Sequence, residues 1–97
     1  MPATVVTVEI HLPGSQSLKD KRRVVKSLKD KIHSRYRVSI AEIDHHDLSQ
    51  SAKIGLAAVG PTHTHLAEII DRVRDLFENR PDLIVTRWDQ QTLELAP

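Results

Sequence analysis

Nine of the chain's fourteen Lys and Arg residues crowd between positions 19 and 37: Lys19, Lys21, Arg22, Arg23, Lys26, Lys29, Lys31, Arg35 and Arg37. Only Asp20 and Asp30 offset them there. Clustered cations of this density suit a phosphate backbone, because each contact releases condensed counterions. Just upstream lies "PGSQS", whose Ser15 and Ser17 can cap a helix or hydrogen-bond an anion at its start. A helix N-terminus there would add its own partial positive charge. The plainer alternative is a solvated helix face, which charge runs usually are. Asymmetry favours the functional reading, since the second helical segment mixes both signs, with Glu68, Asp71, Asp75 and Glu78 beside Arg72 and Arg74.

Two further constellations are weaker. His11, His45 and His46 with Glu42, Asp44 and Asp47 offer imidazole and carboxylate donors that suit a divalent metal. Adjacent His45 and His46 point to opposite sides of an extended chain, however, so both seldom reach one ion. His63 and His65 diverge on a first helical turn. Asp44-His45 beside Ser15 or Ser17 supplies acid, base and nucleophile by type alone. A triad needs each member within hydrogen-bond reach of the next. No Gly-rich phosphate loop or nucleophile elbow is present. The expectation is a non-catalytic protein without a cofactor or metal.

These side chains need elements to hold them. Residues 5–12 alternate, with Val6, Val8, Ile10 and Leu12 on one face and Val5, Thr7, Glu9 and His11 on the other, a half-buried strand. Pro13-Gly14 ends it. Ser17-x-x-Asp20 is a capping pattern, and from Leu18 the apolar positions Leu18, Val25, Leu28 and Ile32 form one helical stripe with Val24 beside it. Lys19, Arg22, Arg23 and Lys26 fall opposite; Lys21 and Lys31 lie nearer the stripe, where long stems snorkel along the core edge. "YRVSIAEIDH" (36–45) reads as a second strand whose broken alternation at Ile43 asks for a bulge or a strand apolar on both faces. "SAKIGLAAVG" (51–60) is a third strand. Thr62 or Thr64 caps a second helix with Leu66, Ile69, Ile70, Val73, Leu76 and Phe77 on its core stripe. "LIVTRWDQQTLEL" is a fourth strand.

The order β-α-β-β-α-β is that of an α+β, ferredoxin-like split β-α-β sandwich over residues 1–97. Right-handed crossovers place an antiparallel sheet in the order 4-1-3-2, with both helices on one face. "HLPGSQS" and "EIDHHDLSQ" then meet at one pole of the fold. On the outer sheet face, Val5, Thr7, Glu9 and His11 join Ile84, Thr86 and Trp88 or their alternates. That mixed face, or an edge strand, is where a homo-oligomer would form. Strands 1 and 3 carry no aromatics, so base stacking on the sheet is not expected.

Formal net charge is only +1, which gives no global pull on nucleic acid. The absence of cysteine fits a reducing compartment. The N-terminus lacks the continuous apolar block of a signal peptide or a membrane span. A cytoplasmic protein is expected.

"PGSQSLKDKRRVVKSL" followed by "VSIAEIDHHDLSQSAKIGLAAV" resembles the YlxP-like family of small bacterial proteins. The likeness runs from Val5 to about Trp88, on the paired motifs S-L-K-x-K-R and V-S-x-A-E-x-D. It implies a ferredoxin-like sandwich and suggests RNA or a ribosomal particle as partner, with no catalytic residues to carry over. Where relatives have Trp-Gln-Arg after Asp47-Leu48, this chain has Ser49-Gln50-Ser51, so an aromatic and a cation are missing. Together these features make Ser15, Ser17, Lys19, Arg22, Arg23 and Lys26 the candidate RNA-binding residues. The competing reading is a protein-interaction module that binds no nucleic acid.

Overall fold

The computed structural model describes residues 1–96. Its elements are β1 (Pro2–His11), α1 (Leu18–Tyr36), β2 (Ser39–Asp44), β3 (Ser51–Val59), α2 (His63–Glu78) and β4 (Ile84–Glu94). The four strands form one antiparallel sheet in the order β2-β3-β1-β4, the expected 4-1-3-2 read from the other side. This is the ferredoxin-like arrangement. β1 begins at Pro2, where a missing N–H costs least.

Most apolar residues that the periodicity assigns to the interior are buried: Val6, Val8 and Ile10 of β1, Val25, Leu28 and Ile32 of α1, Ile54 and Leu56 of β3, and Leu66, Ile70, Val73 and Phe77 of α2; Leu18, Ile69 and Leu76 at the stripe edges are half-buried. Leu12, Val38, Ala52 and Leu83 complete the core. Thr4 is also enclosed, its hydroxyl 3.0 Å from that of Thr92.

The elements depart from the sequence reading in two places. Tyr36 belongs to α1 rather than to β2, because the helix continues until Arg37 takes a left-handed conformation (φ 54°) and returns its N–H to the His33 carbonyl. Val38 is then buried directly after the cap. The second difference is in β4. Its register against β1 slips between Glu9 and Ile10, so Ile10 faces Val85 while Glu9 faces Arg87. The extra residue turns Val85 and Trp88 toward the helices and leaves Ile84 outside. Trp88 therefore packs edge-on against Phe77, with ring centres 5.9 Å apart, and leaves the outer face. A second slip, between Glu42 and Asp44, is the bulge that the broken alternation of β2 requires; Ile43 emerges there over Gly55.

Candidate nucleic-acid interface

The pole where α1 begins is built by short-range hydrogen bonds. Pro13-Gly14 turns the chain, and Ser15 donates its N–H to the Leu12 carbonyl at 3.2 Å. Ser17 is the N-cap: its Oγ accepts from the Asp20 N–H at 3.1 Å, and Asp20 Oδ2 accepts in turn from the Gln16 N–H at 3.0 Å. Two amides that the helix cannot satisfy internally are thus provided for. Ser15 is buried, and its hydroxyl donates to the Ser17 carbonyl. It is turned inward and does not belong to the exposed candidate surface.

The β2–β3 connection closes on this turn. The Gln50 side chain donates to the Ser15 carbonyl at 3.0 Å, and the Gln50 carbonyl accepts from the Leu12 N–H and from His11 Nδ1. The two segments expected to meet do so.

Beneath them lies the largest departure from the sequence reading. Lys21 is not snorkelling at the core edge; only 1% of it is exposed. Its ammonium donates to the carbonyls of His45 (2.7 Å), Ser51 (3.3 Å) and His46 (3.4 Å). Glu42 Oε2 lies 2.9 Å from the same nitrogen, outside hydrogen-bond geometry and held by charge. A buried cation needs such company, since desolvation is otherwise prohibitive. The wheel contains the signal: at 100° per residue Lys21 falls in the middle of the stripe Val25, Leu28, Ile32. Glu42, half-buried on β2, is the countercharge that makes the position tolerable. Lys31, by contrast, remains exposed.

With Lys21 removed inward, the outer stripe of α1 consists of Lys19, Arg22, Arg23 and Lys26, all exposed. Among the described residues, Lys19, Arg22 and Arg23 have no carboxylate within ion-pair distance, whereas Lys26 meets Asp30 at 2.6 Å. α2 differs, with Arg74 held by Glu78 at 3.0 Å and its guanidinium stacked over Trp88. A cleft of about 300 Å³ opens beside the stripe, lined by Pro13, Ser15, Asp20, Arg23 and Asp82 among others.

The histidines are engaged separately. His46 Nε2 donates to the Glu42 carbonyl at 3.1 Å, and His45, at φ 63°, places Nδ1 3.0 Å from Ser51 Oγ. Asp44 accepts the His45 backbone N–H, which with the nearby histidine and Lys53 charges holds its carboxyl below the usual range. The carboxylate thus meets the backbone and not the imidazole, so no acid–base–nucleophile relay forms here. No three His, Asp or Glu side chains converge as a metal site among the described residues. Among the described residues, no helix is long and apolar enough to cross a membrane.

Comparison with known proteins agrees with this architecture. A de novo designed protein with a ferredoxin fold superposes with a TM-score of 0.57 at 13% identity, covering 100% of this chain and 89% of its own. The uncharacterized protein YlxP of Bacillus subtilis (strain 168) is 31% identical over 67 residues, 69% of this chain and 73% of that protein. Residues 3–90 match the family model described as "Protein of unknown function (DUF503)". The chain belongs to this YlxP-like DUF503 family.

Proposed function

We propose that the protein is a non-catalytic binding module for RNA or a ribosomal particle in the cytoplasm, working through the outer stripe of α1. One observation carries this reading: Lys19, Arg22 and Arg23 stand exposed on one helical face with no carboxylate paired to them among the described residues. Unpaired cations give up no carboxylate to meet a phosphate, so each contact gains the full release of counterions condensed on the nucleic acid. Ser17 fixes the first turn of the helix, and Lys26 extends the stripe by exchanging Asp30 for a phosphate. The sheet supplies no stacking aromatics, so recognition rests on backbone charge and shape.

The test is RNA and ribosome binding across a salt series. Four phosphate contacts to a single strand give a slope of log affinity against log salt of about −3. The triple variant Arg22→Glu/Arg23→Glu/Lys26→Glu should lose binding at a nearly unchanged melting temperature, because exposed charges contribute little to stability. Undiminished binding by that variant would refute the assignment.

A further inference from the structure

We propose that the outer face of the sheet joins two copies of this chain, packed face to face about a two-fold axis parallel to β1 and β3 and midway between them. The outward-pointing residues form registered rows across all four strands. One row reads Asp44, Lys53, Glu9, Arg87 from β2 to β4, so its charges alternate strictly. The proposed axis reverses strand order while keeping each row at its own level. Lys53 then lies over the partner's Glu9, and Asp44 over the partner's Arg87. A two-fold perpendicular to the strands at this level would instead set Glu9 on Glu9 and Lys53 on Lys53. At another level it would press the charges against the apolar rows. Of these axes, only the parallel one pairs all four charges of the row.

Side-chain size follows the same symmetry. Beyond the Thr7–Gly55 row, the two central strands pair Val5 with Ala57 and Ala3 with Val59. Under the two-fold, each valine of one copy sits over an alanine of the other, which lets sheets about 10 Å apart interdigitate. Val5, Val59 and Leu93 are 46%, 63% and 53% exposed, a high exposure for a contiguous apolar end of a sheet. Nine residues of β1, β3 and β4 and the shorter β2, at ~3.3 Å along the strands and ~4.8 Å between them, give roughly 520 Å² per copy. The pair therefore buries about 1,000 Å², the size at which a specific interface begins. Arg87 also meets Asp89 of its own strand at 2.7 Å, which orients it at the rim. Both α1 helices remain on the outside of such a dimer, so this inference stands independently of RNA binding.

Sedimentation and light scattering test it. The parent should run at twice the 11.0 kDa chain mass. Lys53→Glu and Glu9→Lys each place like charges over one another twice per dimer and should weaken association roughly a hundredfold. Mixed in equal amounts, these two variants should recover a dimer, because every contact across the axis is then between opposite charges. Val5→Asp, at an exposed position, should also give single chains, with circular dichroism confirming that each variant is folded. A parent that stays at 11.0 kDa to millimolar concentration overturns the proposal. So do folded single variants that remain dimeric, or a mixture that stays monomeric.

Discussion

The two helices lie on the same face of the same sheet and use their charges in opposite ways. α2 is conventional: its inward stripe is entirely apolar, its N-cap is Thr62, and its outer Arg74 is occupied by Glu78 and Trp88. α1 places a lysine inside and leaves Lys19, Arg22 and Arg23 of its outer stripe without a carboxylate partner among the described residues. The contrast separates a charge that the fold uses from charges that it does not. Lys21 organises the β2–β3 loop from below, whereas Lys19, Arg22 and Arg23 could be removed without disturbing any described contact. Charges that cost nothing to delete structurally are the ones available for a partner.

Replacing Lys21 should break the comparison most severely. Lys21→Ala leaves Glu42 without its countercharge and takes the ammonium away from the His45, His46 and Ser51 carbonyls, and should cost about 3 kcal/mol in chemical denaturation. Hydrogen exchange in residues 45–51 should accelerate with it. An apolar position on α2 offers no parallel: Phe77→Leu should cost only about 1 kcal/mol and leave that loop protected. Equal losses in the two variants, with the loop unchanged in both, would show that Lys21 only fills space.

The caps give a smaller contrast. Ser17→Ala and Thr62→Ala should each cost about 1 kcal/mol by thermal unfolding. In α1, Asp20→Ala should add a few tenths of a kcal/mol, because Asp20 satisfies the Gln16 amide. His65, at the corresponding place in α2, contributes only its backbone N–H to the cap, so His65→Ala should be neutral.

The smallest effect is pH-dependent and sits where α2 hands over to β4. Arg80 grips Asp82 at 2.6 and 2.9 Å and reaches Ser27 of α1 at 3.3 Å. That guanidinium holds the Asp82 carboxyl below its ordinary range. A carboxyl whose folded pKa is depressed adds stability that is present above its unfolded pKa and lost as pH falls through the folded one. Asp82→Asn should therefore cost about 0.5 kcal/mol at neutral pH, given the partial exposure of the pair. The gap to the parent should close in acid, at a pH below the usual carboxylate range. A gap that persists there would mean that shape, not charge, holds the turn.

Local periodicity was enough for the element order, the sheet topology and the apolar core, because alternation and the 3.6-residue repeat each tie burial to position along the chain. The exposure of Arg22, Arg23 and Lys26 was legible for the same reason. The bulge in β4 was not. "IVTRWDQ" permits either parity, and only pairing with β1 decides that Trp88 turns inward. Nor did the sequence distinguish Ser15 from Ser17, since both precede the helix and only the closed turn buries one of them. By residue type alone Lys21 belongs at the rim, because a cation stays outside unless partners await it. Its partners, Glu42 and the carbonyls of His45, His46 and Ser51, are 21 to 30 residues away and converge only when β2 and β3 close over α1. Burial by pattern is a local property. Burial of a charge depends on what the rest of the chain brings to it.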